Sequence, residues 1–401
     1  MARTPAVPYA APMPKPLRGI DPRDVAICTR ADAPAPSDAP APTSAPIVQT
    51  SLFTFPTFEA LVRGLDDEHG TTVYSRGRNP TVQAYERKLA ELERAESCVA
   101  FASGMAAIAA VMFAALRAGD HVLFVNQVYG PTLQLAGELQ RFGVQHDTCL
   151  DLSPDAVRAA LRPETRLVWL ESPGTMLFRV ADIGAIANVA RDHGALSCID
   201  NSWATPLLQK PLELGVDLVV HTCTKYLAGH SDLLAGAVMG AADRLEQIFY
   251  RAYLLLGGAL APASAWLLLR SLRTLPVRME RHGEDALRVA RFLAAHPAVD
   301  LVHHPALAAD PKLVGAQLRG YSGLLSFQPR DPSFGAVSRL LDGLRVFGRG
   351  ISWGGVESLA YSPVREEGAR DGASLPEGLV RLSIGLEGAE ALIADLERAL
   401  A

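Results

Sequence analysis

Between about residues 95 and 240 the chain alternates short β-branched runs with longer Ala- and Leu-rich ones, and each short run is apolar along its length and polar at its end. The runs are His121-Val122-Leu123-Phe124-Val125-Asn126, Leu167-Val168-Trp169-Leu170-Glu171, Leu196-Ser197-Cys198-Ile199-Asp200-Asn201 and Asp217-Leu218-Val219-Val220. A strand apolar throughout is buried on both faces, and strands alternating with helices of crossover length predict a mostly parallel sheet covered by helices. Ligands of such sheets lie outside the carboxyl ends of the strands. Asn126, Glu171, Asp200 and Thr222 are therefore expected on one rim.

The rest of the chain reads as flanks of this unit. Residues 1–46 are rich in Pro and Ala, which opposes regular helix and predicts a flexible leader. Past about 265 an amphipathic helical pattern, Glu284 to Leu293, precedes strand-like runs at Gly323–Phe327 and Leu379–Gly385, as expected of a smaller C-terminal α+β domain. A net charge of -5 without a basic run argues against nucleic acid and anionic membrane as partners and favours a small molecule. No run reaches membrane-spanning length. Five widely spaced cysteines without a C-x-x-C pair indicate neither a disulfide framework nor zinc, and fit a reducing cytoplasm. Adjacent His303 and His304 point apart on a strand, so no metal is expected there.

Chemistry concentrates at Lys225, in Val219-Val220-His221-Thr222-Cys223-Thr224-Lys225-Tyr226. Lying between a buried strand and a polar glycine-containing loop, its amine is partly desolvated, which favours the neutral, nucleophilic form. Such an amine can hold an aldehyde as a Schiff base. Asp200, at the end of a neighbouring run, is placed to pair with the ring nitrogen of pyridoxal phosphate, although an acid at a strand end can also be satisfied by local N–H groups. Ser103-Gly104-Met105 opens an apolar helix whose first free N–H groups, at Gly104 and Met105, suit a phosphate. The same pattern also serves as an ordinary N-cap. Thr222 and Thr224 can donate hydroxyls to that phosphate, and Tyr129 can stack on a ring or simply pack.

Five groups of residues carry a resemblance: Tyr74-Ser75-Arg76 with Asn79-Pro80-Thr81; the Ser103-Gly104-Met105 turn; Asp200 to Pro206; Thr222 to Tyr226 with Gly229-His230-Ser231-Asp232; and Ser352-Trp353-Gly354-Gly355-Val356-Glu357-Ser358-Leu359. From about Ile47 onward the chain resembles the cysteine and methionine metabolism family of pyridoxal-phosphate enzymes. The resemblance implies a type I, aspartate aminotransferase-like α/β fold; after the Pro/Ala-rich leader (1–46) the chain divides into an inter-subunit arm (47–78), a large domain (79–265) and a small domain (266–401). It also implies a homotetramer built as a dimer of dimers, with sites shared across the dimer. Lys225 would be the Schiff-base lysine and proton carrier, Asp200 the ring-nitrogen partner and Tyr129 the stacking residue. Gly104, Met105, Thr222 and Thr224 would hold the phosphate, joined across the interface by Tyr74 and Arg76. Arg381 would bind the substrate α-carboxylate with Ser352 nearby, a task that suits its planar fork.

Departures from the family pattern bear on the reaction. Ile351 stands where an acid accompanies γ-chemistry, Trp353 resembles bacterial cystathionine β-lyases, and Thr175 replaces a frequent asparagine that contacts cofactor or substrate. Pro131 stands where methionine γ-lyases tend to carry cysteine. The expectation is therefore a carbon–sulfur lyase performing β-elimination on cystathionine, releasing homocysteine, pyruvate and ammonia on the way to methionine. A γ-eliminating or γ-replacing enzyme of the same family is the alternative, followed by a relative that binds cofactor or a partner without turnover.

Overall fold

The computed structural model describes residues 18–32, 42–308, 310–366 and 375–401. A seven-stranded sheet is built from β1 (Ser97–Phe101), β2 (His121–Val125), β3 (Gln145–Cys149), β4 (Thr165–Glu171), β5 (Leu196–Asp200), β6 (Leu218–His221) and β7 (Gly236–Gly240). Its spatial order is β1-β7-β6-β5-β4-β2-β3, and β7 runs antiparallel to both of its neighbours. The four apolar runs singled out above are β2, β4, β5 and β6. Residues of alternating parity fill two apolar cores, one on each face, so Leu170 and Ile199 face one while Trp169 and Cys198 face the other. That two-sided burial is why these strands read as continuous apolar runs.

A second sheet combines β8 (Val299–His303), β9 (Leu324–Pro329), β10 (Gly348–Arg349), β11 (Leu359–Tyr361) and β12 (Val380–Ser383) in the order β10-β11-β12-β9-β8. It has its own core with helices Leu275–Ala295 and Ala389–Leu400. Position 265 falls within helix Pro262–Leu272, whose buried residues join the large-domain core. His303 and His304 do part: His303 Nε2 meets Gln328 at 2.7 Å, and the His304 ring lies against Tyr321.

The expected leader contains a docked helix, α1 (Pro22–Thr29). Asp21 caps it, accepting from the Arg23 N–H at 2.9 Å, and Pro22 takes the first helical position, where a missing N–H costs nothing. Fully buried Asp24 accepts from Arg94 Nη2 at 2.7 Å and forms an ion pair with Lys210 Nζ at 3.0 Å, while Ile27 and Cys28 enter the core. Asp32 pairs with Lys88 and Arg273, each at 2.6 Å. The flexible-leader expectation is thus corrected for residues 18–32: the stretch between Pro22 and Pro34 is free of proline, so composition averaged over the leader hid it. Stretches 1–17 and 33–41 lie outside the described residues.

The arm crosses the surface. Val48 N–H donates to Thr81 Oγ1 at 2.9 Å, and Leu52 bridges to Tyr74. Between them α2 (Phe58–Asp66) leaves Phe58, Val62 and Leu65, one helical face by their spacing, exposed at 79%, 40% and 53%.

Candidate active site

The carboxyl rim gathers side chains that sequence spacing alone leaves far apart. Asp200 ends β5, and its register partners are Glu171 at the end of β4 and Val220 in β6. Four residues past the end of β6, Lys225 turns back so that its N–H donates to Thr222 C=O at 3.2 Å. Gly229 N–H closes the turn on Lys225 C=O at 2.8 Å.

From the small domain, Ser352 Oγ accepts from Lys225 Nζ at 2.8 Å, and the Trp353 ring centroid lies 5.2 Å from the same nitrogen. Trp353 in turn packs against Tyr226, with centroids 5.4 Å apart. Gly354 has φ +84°, and a Cβ there would come 2.8 Å from Tyr226 N and 3.0 Å from Lys225 C. Only glycine accommodates that approach.

Burial pulls the Lys225 amine down to about 8, helped by the positive Arg381 and opposed by Asp200. The Asp200 carboxyl is raised by burial, while the Ser202 hydroxyl and N–H, the latter at 2.9 Å, favour its charged form. Ser202 Oγ also accepts from Thr222 N–H at 2.6 Å, so this one serine ties the acid to the hydroxyl-bearing turn before Lys225. Sequence reasoning left Ser202 without a role; its signal was its place two residues after a strand-end acid, the spacing of an Asx turn.

Helix α3 (Pro80–Glu93) lies before β1, and α4 (Gly104–Ala115) follows it. Ser103 caps α4 by accepting from Ala106 N–H at 3.1 Å, and Ala107 N–H reaches Ser103 C=O, which leaves the Gly104 and Met105 N–H groups without a partner inside the helix. A Cβ on Gly104 would overlap the Thr222 hydroxyl, so only glycine lets the helix start and the turn approach this closely. Thr224 is engaged otherwise: its hydroxyl donates to Ala235 C=O at 3.2 Å and accepts from Ala235 N–H at 3.0 Å.

Tyr129 precedes α5 (Gly130–Leu139) and is 45% exposed; its N–H donates to Glu171 Oε1 at 2.6 Å. Thr175 N–H reaches Gln127 C=O at 2.9 Å, in a loop that Asn126 holds by donating to Glu171 C=O at 2.8 Å and Arg179 C=O at 2.9 Å. Arg381 in β12 is 8% exposed, and burial lowers it to about 10. It donates to Ile351 C=O and, at 3.3 Å, to Ser352 C=O, and lies over the Tyr361 ring. Among the described residues no carboxylate pairs with it. Tyr74 and Arg76 contact one another, with the guanidinium 5.3 Å from the ring centroid. Both are exposed, and among the described residues no hydrogen bond, ion pair or ring contact joins either to Lys225, Asp200 or Thr222.

This donor set fits a phosphorylated aldehyde. There is an amine low enough to be partly neutral near pH 8, an acid held at the same rim, a glycine helix start set against the Thr222 hydroxyl with two N–H groups free of the helix, and a buried guanidinium with which, among the described residues, no carboxylate pairs.

L-methionine gamma-lyase of Pseudomonas putida is 42% identical over 368 residues, covering 88% of this chain and 91% of that protein. Cystathionine gamma-synthase of Mycobacterium tuberculosis is 40% identical over 343 residues, covering 84% and 88%. The crystal structure of cystathionine gamma synthase from Xanthomonas oryzae pv. oryzae in complex with aminoacrylate and cysteine superposes with a TM-score of 0.86 at 35% identity, over 94% of this chain and 97% of that one. The family described as Cys/Met metabolism PLP-dependent enzyme matches residues 30–401, and the chain belongs to that family of type I pyridoxal-phosphate enzymes.

Proposed function

We propose that this enzyme breaks the bond from Cγ to sulfur or another leaving group in an amino acid, by γ-elimination or γ-replacement. The observation that carries this reading is that relatives sharing about two fifths of their residues over most of the chain are named for both γ-reactions. It replaces the β-lyase expectation, which rested on Ile351, Trp353, Thr175 and Pro131.

Pyridoxal phosphate, when bound, supplies an electron sink for the charge left on the substrate's Cα. In our reading Lys225 holds the cofactor's aldehyde and then, as a free amine, removes the Cα proton and returns a proton along the chain. Gly104, Met105 and Thr222 receive the phosphate, Asp200 faces the ring nitrogen and Tyr129 covers the ring. Thr224 supports the turn. Arg381 takes the α-carboxylate, fixed by the carbonyls of Ile351 and Ser352, and Ser352 Oγ holds Lys225 until substrate arrives. Tyr74 and Arg76 act in the site of a second subunit, an arrangement supported by their exposure and by the uncovered apolar face of α2. The assembly would be the homotetramer implied by resemblance.

The test is product analysis with cystathionine. γ-Cleavage gives cysteine, 2-oxobutyrate and ammonia; homocysteine with pyruvate as the main products would return the assignment to β-elimination. That second reading retains one structural support, the Trp353 indole set against Lys225.

A further inference from the structure

Glu171 and Asp200 are register partners at the ends of adjacent parallel strands, a pairing that sets two carboxyl side chains on the same face about 4.8 Å apart at the backbone. Two acids so placed do not both ionise readily, because each charge opposes the other where little water screens them. Their surroundings differ. Asp200 has the Ser202 hydroxyl and N–H, with the charges of His221 and Lys225 drawing it towards ionisation. Glu171 is 7% exposed and, among the described residues, has no lysine, arginine or histidine partner. Its side chain accepts from the Tyr129 main-chain N–H at 2.6 Å. Burial first, and Asp200 second, push its carboxyl well above the usual range. The start of α5 favours a negative charge, but a helix dipole is a smaller effect than burial beside another acid.

We propose that Glu171 works as a neutral acid, a positioning residue that pins Tyr129 by its main chain and leaves Asp200 the sole ionised carboxylate at the rim. The side chain at α5's entrance thereby sets the height of the Tyr129 ring. A carboxylate at Glu171 would compete with Asp200 for the cationic end of the cofactor. The inference rests on the roles proposed for Tyr129 and Asp200.

Infrared difference spectra of the cofactor-free protein test the protonation directly. At neutral pH the wild type shows a protonated-carboxyl C=O band that Glu171→Gln lacks; identical spectra in that region would overturn the proposal. In the loaded enzyme, Glu171→Ala lowers kcat about tenfold or more, within the roughly 10²-fold that a displaced group can cost. Glu171→Gln, which copies the neutral acid's shape, restores most of the loss with an unchanged pH profile. A Gln variant as impaired as Ala, or one with a displaced pH profile, shows that the negative charge is needed and refutes the neutral form. If the Ala variant does not fold, the infrared band and the Gln variant decide. Failure of the γ-reaction reading would appear in the wild type's products and leaves the infrared result standing.

Discussion

Lys225 and Arg381 illustrate how one cation sets another's chemistry. Burial strips water from the ammonium and disfavours its charge, and the nearby guanidinium adds to this, bringing the amine from its ordinary 10.5 to about 8. Only the neutral amine attacks an aldehyde, so uptake of pyridoxal phosphate by cofactor-free protein accelerates as pH rises, with a midpoint near 8. Removing the guanidinium in Arg381→Met raises that midpoint towards the ordinary value, which stopped-flow absorbance can follow; an unmoved midpoint would assign the whole depression to burial. The same variant lowers kcat/KM about 30-fold or more, as expected when one partner of a hydrogen-bonded charge pair is cut away. Lys225→Ala abolishes the visible absorbance of the bound cofactor and costs on the order of 10²–10⁴-fold in turnover. A coloured, active Lys225→Ala protein would remove Lys225 from the site.

Helices α1 and α4 do different work: one docks residues 22–29 on the core, the other sets its first N–H groups beside Thr222. Asp24→Ala strands Arg94 and Lys210 without their shared carboxylate, and the unfolding free energy should fall by about 3–5 kcal/mol in a denaturant titration. A change below about 0.5 kcal/mol, the usual range for surface substitutions, would mean that α1 is a passenger. Gly104→Ala pushes a methyl into the Thr222 hydroxyl, so cofactor affinity should drop while the fold persists; equilibrium dialysis against pyridoxal phosphate measures it, and unchanged affinity would place the phosphate elsewhere. The four central strands were legible because they are buried on both faces and end in polar residues. Others were hidden for physical reasons. Strand β3 reads Gln145-His146-Asp147-Thr148-Cys149 because it lies at a sheet edge, where solvent replaces one neighbour. Strand β7 begins and ends in glycine because a side chain at Gly236 would collide with the Ser103 carbonyl and one at Gly240 with that of Asp217. Lys225, Asp200 and the Gly104 helix start could be found from strand ends and caps, whereas the Glu171 contact to Tyr129 depends on a loop return between distant segments.

At the scale of the whole molecule, the role proposed for the exposed Tyr74–Arg76 pair in a second subunit's site would mean that one chain does not make one site. Arg76→Ala and Lys225→Ala assemblies should each be nearly inactive, and co-expressed chains should recover activity, because a mixed dimer contains one site with both residues intact and one with neither. If mixed dimers form and remain as inactive as their parents, Arg76 serves its own subunit. The choice between β- and γ-cleavage also belongs to this scale: a few rim positions favoured one, and similarity over most of the chain favours the other. Segment 351–354 brings the scales together, since its carbonyls hold Arg381, its serine and indole meet the Lys225 amine, and Gly354 sits against the lysine's main chain. Substitutions there and at Arg381 will therefore combine non-additively, and a laboratory lineage selected for a new substrate must change recognition and lysine reactivity in the same step, or lose one while gaining the other.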